Sequence, residues 1–261
     1  DARLPLVREL AISYLGVDIV TDPVPIRPVV HYMMGGISTD TAAATSLPGL
    51  FAAGECACVS LNGANRLGSN SLTELLVFGK RAALSAIEHI RGLPAAPNTI
   101  ALKARALESQ ARIRELFSRT DGNESMSGLR KEMMDTMEKN VGIYRHEAGL
   151  QEAVDAIAAL RERYGKVVLN DKSNVFNTDL FQVLELGCML DCAQALTVSA
   201  LARKESRGAH QRLDHTERDD RNYLRHSMAF YQGAETPRLD YLDVVITRSP
   251  PGVRDYSGDH K

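Results

Sequence analysis

The stretch with the most chemical potential runs from Leu61 to Phe78, where small and turn-forming residues surround Arg66 and lead into an apolar helical pattern. Ser71 and Glu74 are spaced as in a capping box, which predicts Ser71 as the N-cap and Leu72 as the first helical residue. A glycine-bearing loop before a helix presents free backbone N–H groups and the positive end of the helix dipole. This pattern predicts a place for an anion or an electron-rich ring.

Two further side chains stand beside glycine-rich backbone upstream of that loop. His31 lies in an extended apolar stretch before a Gly-Gly turn, where the missing Cβ atoms let a ligand or cofactor approach closely. Glu55 follows a short buried strand predicted over residues 50–53, at the end where α/β sheets place ligand contacts, for example to sugar hydroxyls. The structural alternatives are a core histidine and a solvated loop glutamate.

The elements that would position these groups follow from the spacing of apolar residues. Helical spacing predicts one helix that ends at Gly16 and a second over residues 72–91 with a buried apolar face. Residues 99–204 are nearly all helical in pattern, and four antiparallel-capable helices predict a bundle with methionines in its core. Alternation predicts a strand over residues 240–247 and a frayed end after it. The expected fold class is α+β and multidomain.

The cysteines form two close pairs that are far apart in the sequence. They are Cys56, Cys58, Cys188 and Cys192. The second pair has helical spacing and the first alternates along an extended segment, so both are predicted to be buried structural thiols. Four unpaired thiols fit a reducing cytosol.

The composition has 44% hydrophobic and 25% charged residues and a net charge of -2, which is typical of a globular protein and argues against a nucleic-acid binder. No apolar run approaches eighteen residues, so no membrane-spanning helix is expected. His210 and His215 lie among carboxylates, but their spacing differs from that of zinc and di-iron sites. We expect ion pairs there and no metal.

Four strings occur in a fixed order along the chain: H-Y-M-M-G-G-I (31–37), G-L-F-A-A-G-E (49–55), G-A-N-R-L-G-S-N-S-L (63–72) and E-S-R-G-A-H (205–210). Together they resemble the flavoprotein subunit of succinate dehydrogenase and fumarate reductase. The resemblance runs over essentially the whole chain, including the helical region. It implies an FAD enzyme that interconverts fumarate and succinate.

The resemblance also implies a domain order. Residues 1–29 are expected to be the end of a capping domain and a linker, and residues 30–96 the C-terminal part of an FAD-binding α/β domain. A helical bundle domain over 97–204 and a short strand-containing C-terminal segment over 205–261 follow. Because Asp1 stands where methionine is expected, further sequence upstream is predicted.

Residue roles come from the same resemblance. His31 and Arg66 match residues that hold a carboxylate of the dicarboxylate against the flavin. Glu55 matches a glutamate that binds the sugar-alcohol part of FAD, and Ser71 and Leu72 match a pair that touches the flavin. The implied partners are an iron–sulfur subunit and quinone-reactive membrane anchor subunits. The implied location is cytoplasmic, peripheral on the inner face of the cytoplasmic membrane.

Two departures from the family pattern limit what the chain is expected to do alone. The sequence contains no G-x-G-x-x-G fingerprint for the FAD phosphates. The family also has a flavin-attaching histidine and a proton-donating arginine, both carried on the capping domain. Neither residue has a match in this sequence. We therefore expect the isolated chain to bind FAD poorly and to be inactive.

Two other functions stay open. L-aspartate oxidase shares the histidine, Gly-Glu and Asn-Arg strings, whereas the extended C-terminal string R-D-D-R-N-Y-L-R-H favours the respiratory subunits. The short spacing between His31 and Glu55 favours fumarate reductase over succinate dehydrogenase. The second alternative is a truncated, non-catalytic interaction module that serves as a scaffold for an iron–sulfur partner.

Overall fold

The computed structural model describes residues 4–94, 99–233 and 235–252, which divide into two compact units between Met33 and Met34. The first unit contains helix α1 (Pro5–Leu15), and Gly16 ends it with a left-handed φ of 68° as the sequence predicts. Arg8 and Asp18 form a two-point ion pair, Nε–Oδ1 3.0 Å and Nη2–Oδ2 2.6 Å, that joins the helix to the chain after it. The predicted domain boundaries stay predictions, and that at residues 96 and 97 lies outside the described residues.

The second unit begins with a small parallel sheet. Strand β1 (Ile37–Ser38) pairs with β2 (Ala57–Cys58). The strand predicted over residues 50–53 was wrong, because only one bridge, between Ala44 and Phe51, forms there. The chain between Ala44 and Phe51 reverses direction over a short distance, so the two segments pair at a single bridge.

Helix α2 (Asn70–Arg91) starts two residues earlier than predicted. Its N-cap is Ser69, with φ of 65° and no side-chain cap, so the predicted capping box at Ser71 and the start at Leu72 were wrong. The physical reason is that Glu74 is buried and its Oε2 accepts a hydrogen bond of 2.6 Å from Asn62 Nδ2 of the preceding loop.

The apolar face of α2 was predicted to be buried, and this was also wrong. Glu74 is the buried residue of the helix, whereas Leu76 is 77% exposed. Helical periodicity identifies a face, but burial requires an element that packs on it. The predicted end of the helix is confirmed, because the Gly92 N–H bonds back to the Glu88 carbonyl.

Four helices follow: α3 (Thr99–Ser118), α4 (Met126–Val141), α5 (Glu147–Tyr164) and α6 (Thr178–Ala202). The last three begin at side-chain caps from Ser125, His146 and Asn177. Their core includes Leu129, Ile157 and Leu186, all fully buried. The methionines Met126 and Met133 are buried with them, which confirms the predicted core role.

Helix α3 is not a full member of the bundle. Residues 99–112 are exposed, and the helix joins the core through Leu116 and Phe117 near its end. The predicted four-helix bundle is therefore a three-helix core of α4, α5 and α6 with one end of α3 packed on it.

The C-terminal segment crosses back to both earlier parts of the unit. Strand β3 (Tyr144–Arg145) pairs in parallel with β4 (Gln211–Arg212), and a short helix α7 (Asp220–Tyr223) leads into β5 (Arg225–Phe230). Strand β5 forms an antiparallel hairpin with β6 (Arg238–Asp243). The strand predicted over 240–247 is thus earlier and shorter, and most of the predicted frayed end lies outside the described residues.

Helix α6 is long and apolar enough to cross a membrane, with a mean hydropathy of 1.3 over its best window, of which 39% is buried. The expectation that no such segment exists was therefore too strong. Since α6 also carries Leu186 and Leu190 into the core between α4 and α5, the same composition describes a core helix.

The predicted burial of the cysteine pairs was wrong in three of the four positions. Cys56, Cys188 and Cys192 are exposed, and Cys58 is half-buried. On α6 the two cysteines share one face, as their spacing requires, but Leu186 and Leu190 place the opposite face in the core.

Candidate functional site

The first group of site residues surrounds the β1–β2 pair. Glu55 is exposed in the turn that follows buried Gly54, which has φ of 86°. A Cβ on Gly36, whose φ is 124°, would lie 2.5 Å from the carbonyl oxygen of Cys56. The missing Cβ at Gly36 thus makes room for the backbone next to Glu55, not for a ligand as predicted, whereas Gly35 faces open space.

The Arg66 loop follows β2 and is held by hydrogen bonds at three points. The Ser60 Oγ lies 2.8 Å from His226 Nε2, and Asn62 binds the buried Glu74 carboxylate. The Ala64 carbonyl accepts a hydrogen bond of 3.0 Å from the backbone N–H of Ala209, in the C-terminal segment. Arg66 itself is half-buried, and its Nη1 donates to the Leu67 carbonyl.

The start of α2 lies four residues after Arg66. No side chain caps it, so its first-turn N–H groups are not taken up by a side-chain acceptor. Ser71 is half-buried there and Leu72 is 65% exposed. The Asn70 and Leu72 N–H groups donate to the Leu67 and Ser69 carbonyls, both at 3.2 Å. This helix start therefore offers an anionic ring the positive end of the helix dipole and the apolar surface of Leu72.

The string E-S-R-G-A-H forms a buried ionic cluster. Glu205 is fully buried, and its Oε1 accepts from Arg203 at 2.6 Å and from Arg207 at 2.8 Å. Its Oε2 accepts from the Asp219 N–H at 2.8 Å. Because the buried Glu205 carboxylate is paired with two arginines and also accepts a backbone N–H, it meets the condition under which a buried carboxylate is tolerated.

His210 is held neutral in this region. Its Nδ1 lies 2.9 Å from Arg145 Nη1 and its Nε2 lies 3.0 Å from the Arg203 carbonyl, so Nε2 donates and Nδ1 accepts. Burial, together with the charges of Arg145, Arg212 and Arg203, lowers the pKa of His210 to about 4. Imidazole is therefore a structural hydrogen-bonding group here.

Glu147, Asp214 and His215 bring potential metal ligands within 4.8 Å of one another. Asp214 already accepts hydrogen bonds from Nε and Nη2 of Arg212, which hold the pKa of its carboxyl well below its usual range. Glu147 is paired with Lys204 at 3.3 Å. Expected ion pairs are thus present, and the absence of a metal stays a prediction.

His31 belongs to the first unit, where it is exposed in a stretch without regular secondary structure. Its predicted partnership with Arg66 stays a prediction. Sequence reasoning missed Gly208, Ala209 and His226, whose backbone or side chains contact the Arg66 loop. The only available signal for the first two was that they lie inside the string E-S-R-G-A-H.

Two parts of the chain match known protein families. Residues 1–72 match the family described as FAD binding domain, and residues 130–256 match the family described as fumarate reductase flavoprotein C-term. The chain is thus a flavoprotein of the FAD-binding class, with FAD as its cofactor.

Full-length relatives make the class specific. The fumarate reductase flavoprotein subunit of Haemophilus influenzae is 52% identical over 98% of this chain and 43% of its own length. A structure of the quinol fumarate reductase of Escherichia coli aligns with a TM-score of 0.91 and 49% identity, covering 96% of this chain and 43% of the other. The succinate dehydrogenase flavoprotein subunit of Rickettsia bellii is 40% identical over 98% of this chain and 45% of its own length.

The chain belongs to the family of fumarate reductase and succinate dehydrogenase flavoprotein subunits. It spans about 43% of the length of the fumarate reductase relatives it matches.

Proposed function

We propose that this chain is part of an FAD-dependent oxidoreductase subunit that interconverts fumarate and succinate. The observation that carries the proposal is the Arg66 loop, in which a half-buried guanidinium stands on backbone held at three points and next to an uncapped helix start. The higher identity to fumarate reductase subunits, 52% against 40% for a succinate dehydrogenase subunit, favours fumarate reduction as the physiological direction.

Arg66 is the proposed carboxylate ligand. A guanidinium presents two parallel N–H donors that match the two oxygens of a carboxylate, and a second donor, His31, would fix the orientation of the dicarboxylate. Because Arg66 is half-buried, less water competes for its charge, which strengthens its contact with the carboxylate. As charge develops on the substrate during reduction, a pre-positioned cation stabilises it.

The FAD contacts are proposed for the other side of the loop. When bound, FAD supplies the hydride and accepts or delivers electrons. Glu55 would accept hydrogen bonds from the hydroxyl groups of its sugar-alcohol chain. Ser71 and Leu72, at the start of α2, would contact the ring, and the positive end of the helix dipole would favour negative charge on it.

The proposed partners follow from the electrons that such a reaction moves. An iron–sulfur subunit would exchange electrons with the flavin, and quinone-reactive membrane anchor subunits would connect that subunit to the membrane. Such an assembly would lie at the inner face of the cytoplasmic membrane. The chain is similar to a solved structure of quinol-fumarate reductase with menaquinol molecules, which supports this assignment.

The test is an assay of the full-length protein that contains residues 1–261, with fumarate plus a reduced viologen dye and, separately, with L-aspartate. We expect fumarate reduction, and we expect Arg66→Ala to lower kcat/KM for fumarate by roughly a hundredfold or more, since the charge pair between a half-buried guanidinium and the substrate carboxylate is lost. Arg91→Ala, which removes an exposed arginine from the far end of α2, is the matched control and should leave kcat/KM unchanged.

The other outcomes separate the competing functions. Oxidation of L-aspartate without fumarate reduction would assign the oxidase activity instead. A full-length protein that binds an iron–sulfur partner but neither FAD nor fumarate would be the non-catalytic module. Equal fumarate kinetics for Arg66→Ala and Arg91→Ala would remove Arg66 from the site.

A further inference from the structure

We propose that the C-terminal segment positions Arg66: the hairpin Arg207–His210 and the side chain of His226 hold the backbone of the loop at residues 60–66. This inference rests on the proposed function, because it takes Arg66 as the carboxylate ligand. Gly208, Ala209 and His226 are positioning residues, since they act on the substrate through the loop.

The first contact is between two backbones. The Ala209 N–H donates to the Ala64 carbonyl at 3.0 Å, two residues before Arg66. Gly208 makes this approach possible, because a Cβ built on it would lie 2.6 Å from the Ala64 carbonyl oxygen and 2.7 Å from its carbon. Backbone atoms cannot rotate away as a flexible side chain can, so only glycine fits here.

The hairpin itself is a rigid support. Arg207 and His210 exchange backbone hydrogen bonds of 2.8 and 3.0 Å around a two-residue turn. Gly208 has φ of 57°, as the first central position of a type II′ turn requires. The Arg207 side chain is fixed at two points on buried Glu205 and by Asp220 at 2.6 Å.

The second contact holds the entrance of the loop. Ser60 has φ of 66°, a left-handed conformation that is unfavourable for a residue with a Cβ and persists only where neighbours impose it. Its Oγ bonds to His226 Nε2 of β5 at 2.8 Å. Strand β5 is in turn tied to the buried cluster, because Arg203 Nη2 donates to Ser227 Oγ at 3.2 Å.

Ala64 and Ala209 are far apart in the sequence, yet together with Ser60 and His226 they form one frame. A loop held at both Ser60 and Ala64 has lost most of its conformational freedom before substrate arrives. Binding then needs less ordering of the Arg66 backbone, which raises affinity for the carboxylate. The contribution should therefore be visible in substrate binding more than in folding.

The experiment compares two glycine-to-alanine variants of the full-length protein. Gly208→Ala and Gly233→Ala place a Cβ at nearly the same left-handed φ, 57° and 67°, but only the first meets a neighbouring backbone. Hydrogen exchange at residues 60–66 and the KM and kcat for fumarate are measured for both. We expect faster exchange and a KM raised by about tenfold to a hundredfold in Gly208→Ala only, with kcat less affected.

A second pair keeps the test informative if Gly208→Ala does not fold. His226→Gln retains an amide that can bond to Ser60, whereas His226→Leu does not. We expect the exchange rate and KM to rise in the leucine variant and to return towards the parent values in the glutamine variant.

Failure of the inference is distinguishable from failure of the proposed function. If Gly208→Ala matches Gly233→Ala in both exchange and KM, or if the two His226 variants are alike in both, the positioning role is wrong even when Arg66→Ala abolishes fumarate binding. If loop exchange rises in Gly208→Ala while Arg66→Ala leaves the fumarate KM unchanged, the loop is held as described but Arg66 is not the carboxylate ligand. If loop exchange rises in Gly208→Ala and the full-length parent protein does not reduce fumarate, the loop is held as described but the proposed function is wrong.

Discussion

Adjacent glycines that look equivalent in the sequence have different surroundings in the structure. Gly35 and Gly36 are adjacent, and both have positive φ, 98° and 124°. Only Gly36 lies against another backbone, that of Cys56, directly after Glu55. The sequence identifies the pair as a place of close approach, but which neighbour makes the approach depends on the pairing of β1 with β2.

This difference predicts a contrast between two neighbouring substitutions. Gly35→Ala and Gly36→Ala both incur the cost of a Cβ at positive φ, but Gly36→Ala must also displace the Cys56 carbonyl. We expect Gly36→Ala to lower the free energy of unfolding by about 1–3 kcal/mol more than Gly35→Ala. Urea unfolding of the two variants measures it, and equal midpoints and slopes would contradict the close packing of β1 on β2.

At the scale of elements, the C-terminal segment connects the helical core to the Arg66 loop. Strand β4 pairs with β3 beside the start of α5, and β5 reaches Ser60 through His226. His210 lies between these contacts, facing Arg145, Arg203 and Arg212. Because a neutral histidine lies among three arginines, the stability of this segment should depend on pH in the acid range.

The pH dependence has a definite sign. Because the pKa of His210 is lowered from 6.5 to about 4, the unfolded chain takes up a proton that the folded chain does not. Its full contribution to stability is present above pH 6.5 and is lost as the pH falls towards 4. The free energy of unfolding should therefore decrease between pH 7 and 5, and by less in His210→Gln.

Urea unfolding at the two pH values measures this slope. The window avoids the effect of Asp214, whose lowered pKa places its loss of stability at more acid pH. An identical slope in the parent and His210→Gln would show that His210 does not titrate differently in the two states.

At the scale of the whole molecule, the chain combines an FAD-binding match over residues 1–72 with a flavoprotein C-terminal match over 130–256, at about 43% of its relatives' length. The residues proposed to contact FAD are a helix start and one carboxylate. A dinucleotide's pyrophosphate is ordinarily bound by a G-x-G-x-x-G turn, which the printed sequence does not contain.

We therefore expect the isolated 261-residue chain to release FAD on gel filtration, because contacts to one end of the cofactor alone give weak binding. The absorbance ratio of flavin to protein across the eluted peak measures it. The full-length protein under the same conditions is the control and should retain its flavin. Stoichiometric FAD on the isolated chain would show that these residues suffice.

Much of the local structure could be predicted from sequence because it depends on near neighbours. The end of α1 at Gly16, the end of α2 at Gly92 and the helical pattern of residues 99–204 follow from spacing and from glycine at helix ends. The family could also be recognised, because its four strings are local and occur in order. The residue roles proposed for Arg66 and Glu55 came from that resemblance.

Only the tertiary structure decided which surfaces and groups meet. Periodicity could place Cys188 and Cys192 on one face of α6 but not on the exposed one, and it could not show that Glu74 binds Asn62 in place of capping α2. The contact of Gly208 with Ala64 is likewise invisible in the sequence, since it joins residues far apart in the chain. Residue spacing along the chain sets local geometry, whereas burial and long-range hydrogen bonds depend on which distant segments pack against each other.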